Sequence, residues 1–332
     1  MDRRNFLKLA VATPVVAYTP WALGAEEKQN FGWVPTTRRS RIPHFSHRAG
    51  QGVKGSGRGR EVRLSEFVKR ALGGKLLPHH QLIGDCVGQA YGLTTDTLAG
   101  TQIFLHGRAE KFTTKTSTEA IYAGSRYEIG YTVYGSASIL RGDGSNGSWA
   151  AEFLRDYGTL PRGKYGKYDL SEYDSRLARQ WGKSGVPDEL EQIVREHPVR
   201  SYSQCRNYNE CRDAIANGYP VVFCSGVGFN NCRRHNSNGR DSQGFLVPCG
   251  QWYHAMAALD VDDKSARKSI TLYQSWGADW LNGAYTDVEG LEKWAFKVDA
   301  EVIDRMCSYG DTYAISNYLG HPGQSELDYD LF

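Results

Sequence analysis

The chain predicts an α+β fold whose helices and strands occupy separate lobes with a cleft between them. Helical patterns with their stop signals fill residues 86–157, and strand patterns fill residues 221–288. Such segregation along the chain gives an α+β fold rather than an alternating one. The 332 residues are 40% hydrophobic and 23% charged, which suffices for a full core. No internal repeat and no low-complexity run other than a Gly/Arg-rich arm interrupts the pattern.

The elements follow in order. A helix is expected from Cys86 to about His106, with Ala90, Leu93, Thr94, Thr97, Leu98 and Ile103 as its buried stripe. A second covers Thr118 to Gly130. Gly142, Gly144 and Gly147 mark a loop into a third, Ser148 to Tyr157, capped by Ser148 and stopped by Gly158. Residues 163–200 are charged and tyrosine-rich, with weak helical signals near 188–196. A helix from Asn209 to Asn217 ends at Gly218. Strands are expected at 221–226, 255–261, 269–274 and 284–288.

The N-terminus reads as an export signal. Met1-Asp2-Arg3-Arg4-Asn5-Phe6-Leu7-Lys8 has the twin-arginine form, and Ala22-Leu23-Gly24 places small residues for cleavage after Gly24. The apolar run between is broken by Pro14 and Pro20 and falls short of the ~20 residues of a spanning helix. The expectation is a periplasmic or extracellular bacterial protein, delivered by the twin-arginine machinery without a stable membrane anchor. Residues 25–62 form a basic arm before a body at 63–332. Residues 36–63 hold seven arginines, one lysine and one glutamate, a net +7. With +3 overall and +1 over residues 1–35, the rest of the body carries −5. The arm reads as a solvated linker, as a segment binding polyanions, or as a short segment masking its acidic body. No nucleotide loop and no specific nucleic-acid module is visible. The cysteines lack zinc-knuckle spacing, so no metal or cofactor is expected.

The chemistry concentrates at Gln81-Leu82-Ile83-Gly84-Asp85-Cys86. A thiol at a helix start is acidified by the positive end of the helix dipole. A side-chain amide five residues upstream can aim a donor at an oxyanion. His254-Ala255 opens a strand 168 residues downstream of Cys86, and Gln274-Ser275-Trp276-Gly277 closes the next. This order resembles the papain-like cysteine peptidases. Asp143-Gly144-Ser145-Asn146-Gly147-Ser148-Trp149 resembles that family's glycine-rich turn, and Ser117-Thr118-Glu119-Ala120-Ile121-Tyr122 its second left-lobe helix. The matches span roughly residues 60 to 315.

The resemblance implies a two-lobed papain-like fold, with a helical left lobe and a barrel-like β-sheet right lobe. It implies hydrolysis of peptide bonds in a protein or peptide substrate by a monomer. Cys86 would be nucleophile, His254 general base and acid, Gln274 the residue orienting the imidazole, and Gln81 an oxyanion donor. Trp276 would cover the His254–Gln274 bond, and Gly144 and Gly147 would line the cleft.

Three departures stand out. Gly84-Asp85-Cys86-Val87 replaces Gly-Ser-Cys-Trp, the glutamine lies five rather than six residues before the cysteine, and Gln274 replaces asparagine. Asp85 opposes a thiolate unless it points to solvent or caps the helix, and it could select basic substrates. These departures keep open a catalytically inactive papain-fold binding protein, and a cell-wall peptide amidase or transpeptidase. With Cys86 as a free nucleophile, Cys205, Cys211, Cys224, Cys232, Cys249 and Cys307 allow up to three disulfides in an oxidising compartment.

Overall fold

The structure, a computed structural model, describes residues 29–37, 42–45, 56–105, 115–196, 199–229, 239–281 and 283–318. The predicted export signal, Cys232 and most of the arm's basic residues lie outside these. Strand β1 is Gln29–Asn30, β2 is Glu61–Arg63 and helix α1 is Leu64–Ala71. Helix α2, Cys86–Leu105, begins at the expected residue. It is buried on every side from Cys86 to Gln102, not along one stripe, because it runs between the two lobes. Its polar residues survive burial by turning inward: the Thr94 and Thr97 hydroxyls donate to the Ala90 and Leu93 carbonyls. Gly88 lets the next helix approach; a Cβ there would lie 2.8 Å from the Thr118 carbonyl oxygen.

Helix α3, Thr118–Gly124, continues as a π-helical stretch, Ser125–Val133. Helix α4 is Gly147–Asp156. Its cap is Asn146 rather than Ser148: the Asn146 Oδ1 accepts from the Ser148 N–H at 3.0 Å. Gly158, at φ +119°, ends it as expected. A short hairpin, β3 (Lys164–Tyr165) and β4 (Tyr168–Asp169), precedes α5, Ser175–Ser184. The sequence reading missed α5, although Asp174 caps it by accepting from the Arg176 and Leu177 N–H groups. Helix α6 is Asp188–Val194, where the weak signal lay.

The second lobe is built on a sheet of β5 (Val199–Gln204), β6 (Val221–Val227), β7 (Gln251–Asp262), β8 (Ser269–Tyr273), β9 (Ala295–Asp299) and β10 (Thr312–Tyr318). Helix α7 (Tyr208–Ala216) lies between β5 and β6 in sequence, and α8 (Ala300–Cys307) between β9 and β10. The strand order is β5-β10-β6-β7-β8-β9, antiparallel throughout. On β7, β2 adds antiparallel and β1 parallel. No closed barrel forms among the described residues. The strand expected at 284–288 is absent. The Tyr285 and Thr286 carbonyls accept from the Arg240 guanidinium instead of a ladder, and the strand forms at Ala295–Asp299.

Five buried apolar clusters form among the described residues, and one of them joins the lobes at the start of α2. Cys86, Val87, Ala90 and Tyr91 of α2 pack there with Val222, Cys224, Ala255, Tyr313 and Ile315 of the sheet. The start of α2 is thus clamped against β6, β7 and β10. Cys205, Cys211, Cys224 and Cys307 are free, buried thiols, and Cys249 is disulfide-bonded.

Candidate active site

The start of α2 meets β7 at the lobe interface; His254 is the fourth residue of β7, which begins at Gln251 rather than at the expected His254-Ala255. Cys86 and His254 are both 0% exposed, and the Ala255 N–H donates to the Cys86 Sγ at 3.3 Å. His254 Nε2 donates to Gln274 Oε1. The Ser275 N–H donates to the same oxygen at 2.9 Å, which fixes the amide's orientation, while Gln274 Nε2 faces the Met256 sulfur. With its proton on Nε2, the neutral imidazole keeps a lone pair on Nδ1. That Nδ1 is buried and has no hydrogen-bond partner. Trp276 stacks on the imidazole at 4.7 Å between ring centroids and shields the His254–Gln274 bond.

Gln81 sits at the same place. Its main-chain N–H donates to the Ser275 carbonyl at 2.8 Å, and its Oε1 accepts from the Ser275 hydroxyl at 2.6 Å. With the oxygen so held, Nε2 is turned toward the cleft. It donates to the carbonyls of Ile83 and Phe31, both at 2.9 Å. Ser275 is therefore a positioning residue that sequence reading passed over.

Phe31 belongs to a segment of the chain's own N-terminal region lying through the site. Beyond β1, the Phe31 and Trp33 N–H groups donate to the Tyr253 carbonyl at 3.0 and 3.2 Å. Across the cleft the Ser145 N–H donates to Gly32 at 2.8 Å, and the Val34 N–H donates to Ser145 at 2.7 Å. The Phe31 ring meets His254 at 5.5 Å and Trp276 at 4.5 Å. Gly32 has φ +121°, and a Cβ there would fall 2.3 Å from the Gly84 carbonyl oxygen. Only glycine fits this crossing.

The Trp33 indole N–H donates at 2.7 Å to Asp311, a buried carboxylate. Asp311 also accepts from Asn146 Nδ2 and from the Gly147 and Ser148 N–H groups at the start of α4, each at 3.0 Å. This stretch belongs to the arm expected to mask the body, whose basic residues lie mostly outside the described residues.

The two glycines separate. Gly144 lies on the cleft, where a Cβ would meet Val34 at 2.7 Å. Gly147 faces the interior; a Cβ there would strike the Cys224 sulfur at 2.7 Å and crowd Asp311. Ser145 carries the strand-like contact with the segment. Arg126 braces this wall from behind, donating to the Gly142, Gly144 and Gly182 carbonyls.

Burial under the segment sets the electrostatics. It pushes the Cys86 thiol well up, against the Ala255 N–H, with the Asp85 charge adding to the rise. It lowers His254 to about 4, against the bond to Gln274. The covered pair is therefore a neutral thiol and a neutral imidazole.

No protein-family model matches the chain, and no curated protein matches it. Solved structures do. Xylellain, a cysteine protease from Xylella fastidiosa, superposes with a TM-score of 0.52 at 17% identity, over 89% of this chain and 98% of that one. A digestive procathepsin L2 proteinase from the Tenebrio molitor larval midgut superposes with a TM-score of 0.50 at 13% identity, over 87% and 78%. The chain has the papain-like two-lobed fold. Its Cys86, His254, Gln274 and Gln81 occupy the junction between the lobes of that fold.

Proposed function

We propose that this chain is an exported cysteine peptidase, held in a self-blocked form by residues 29–36. The observation that carries the reading is convergence. A cysteine at a helix start, a histidine whose Nε2 is bound by an amide, and a second amide aimed across the cleft come together from three separate segments.

In the open site the Cys86 proton passes to His254 Nδ1, giving thiolate and imidazolium. The thiolate attacks a peptide carbonyl carbon. The resulting oxyanion receives hydrogen bonds from Gln81 Nε2 and the Cys86 N–H. Collapse breaks the C–N bond, and the imidazolium delivers its proton to the leaving amine. A water then attacks the thioester with His254 as base, releasing the acid and restoring the thiol. Gln274 holds the ring orientation throughout. In the blocked form the Phe31 carbonyl takes the Gln81 donor, so the segment must leave before a substrate carbonyl can enter.

The start of the chain supports delivery by the twin-arginine route. Among the described residues no helix is long and apolar enough to cross a membrane. The test is labelling of the purified chain with a peptidyl epoxide, read by peptide mass, alongside Cys86→Ala and the opened variant Gly32→Val. Stoichiometric label on Cys86 in the opened variant, with turnover of peptide substrates, is the expected result. Absence of both would leave a papain-fold binding protein.

A further inference from the structure

The residue immediately before the nucleophile is a buried acid. Asp85 is 0% exposed, and its side chain points neither to solvent nor into the cleft but back into the helical lobe. Its Oδ2 accepts from Tyr173 Oη at 2.7 Å and from Gln89 Nε2 at 2.9 Å. Its Oδ1 is buried with no hydrogen-bond partner, and it forms no ion pair among the described residues. Tyr173, in the loop before α5, is half-exposed and connects the carboxyl to the surface. Gln89 Oε1 meets His79 Nδ1 at 3.0 Å, which extends the chain of contacts by one group.

The other titratable groups facing Asp85 are Cys86 on α2 and Glu119 and Tyr122 on α3. Glu119 is itself bound by Arg162 at 3.2 Å, and burial keeps His79 neutral at about 3. No cation neutralises Asp85 directly. Asp85 is the residue next to Cys86, and its charge, when present, works against a thiolate there.

We propose that Asp85, held by Tyr173 and Gln89, is a positioning residue whose carboxyl gains and loses a proton behind Cys86 and so sets how much thiolate the site holds. This rests on Cys86 being the nucleophile. The proton exchanges with solvent along the Tyr173 side; no other reactant is needed. Burial raises the Asp85 carboxyl to about 7, while the bonds from Gln89 and Tyr173 favour its ionised form. Below that pH the neutral carboxyl leaves the thiolate unopposed. Above it the carboxylate works against the thiolate. The arrangement favours function in mildly acidic to neutral surroundings.

The test is the rate of Cys86 alkylation by iodoacetamide from pH 5 to 10 in the opened Gly32→Val chain, alone and combined with Asp85→Asn or Tyr173→Phe, with peptide hydrolysis followed in parallel. Asp85→Asn is expected to lower the apparent thiol pKa by about one unit, a roughly tenfold gain in thiolate at pH 8, and to match the parent near pH 5. Tyr173→Phe removes a donor that favours the carboxylate, so its divergence from Asp85→Asn begins at higher pH. Equal or slower alkylation in Asp85→Asn at every pH, or a ratio independent of pH, overturns the proposal and makes Asp85 a structural anchor. Absence of hydrolysis with the alkylation shift intact counts against the peptidase reading alone.

Discussion

The Gln81 side-chain amide donates to the main-chain carbonyl of Phe31 at 2.9 Å. The amide proposed as an oxyanion donor is thus satisfied by the chain's own backbone, and residues 29–36 lie across the cleft at that point. The segment is held by hydrogen bonds, ring contacts and the burial of Trp33 in the core that joins the lobes, with no covalent link among the described residues.

Gly32→Val should open the site. A side chain at φ +121° and 2.3 Å from the Gly84 oxygen cannot be accommodated without moving one backbone or the other. Overpacking of this kind costs about 1–3 kcal/mol. That corresponds to a roughly 5- to 150-fold larger open fraction, since each 1.4 kcal/mol is tenfold. Epoxide labelling of Cys86 should accelerate by that factor with no fall in melting temperature of the body. An unchanged labelling rate would show that the segment does not limit access.

Trp33→Phe should loosen the same segment at its other anchor. The indole N–H is lost, and a hydrogen bond to a charged group contributes about 1.5–3 kcal/mol. Asp311 retains Asn146 and the two N–H groups of α4, so the body should stay folded. Faster labelling with nearly unchanged circular dichroism is the expected pair of results. Asp311→Ala, by contrast, leaves buried donors unpaired and should lower the melting temperature itself.

Gln81→Ala in an opened background should reduce kcat by ~10²–10³ with little effect on KM, the cost of losing one oxyanion donor. Ser275→Ala should reproduce part of that loss, because the Ser275 hydroxyl holds the amide in place. A change confined to KM in both variants would move Gln81 from the oxyanion hole to substrate binding.

Acidification should release the segment. His254 is held near 4 in the covered form and returns toward 6.5 when solvated. The open form therefore binds more protons between these values, and closure weakens as pH falls from about 6.5 to 4, by roughly tenfold per unit. Above 6.5 the imidazole is neutral in both forms and contributes nothing. Tryptophan fluorescence of the Cys86→Ala chain, which cannot cut itself, should report exposure of Trp33 across that window. A flat signal from pH 7 to 4 would sink the idea.

Much of the site was legible in the residues. Cys86 opens an apolar segment, Ala255 to Leu259 is a continuous apolar run, and Gly277 follows the amide just after β8, so each leaves a local mark. The Gln274 amide that meets His254 is pinned by the Ser275 N–H, a local contact. The missed α5 had a legible cap in Asp174 and a buried face at Ala178, Trp181 and Gly182; its polar composition drew attention away from that pattern.

What the sequence by itself determined was the order of elements, the segregation of helices from strands and the identity of the groups at the lobe junction. All of these follow from side-chain patterns of short range. Only the tertiary structure decided that residues 29–36 close the cleft, that Gly147 faces the Asp311 carboxylate and that Asp85 turns away from the thiol. A strand held by backbone hydrogen bonds leaves almost no side-chain signature. A carboxylate 278 residues from the indole it binds leaves none, because that pairing exists only once both lobes are packed.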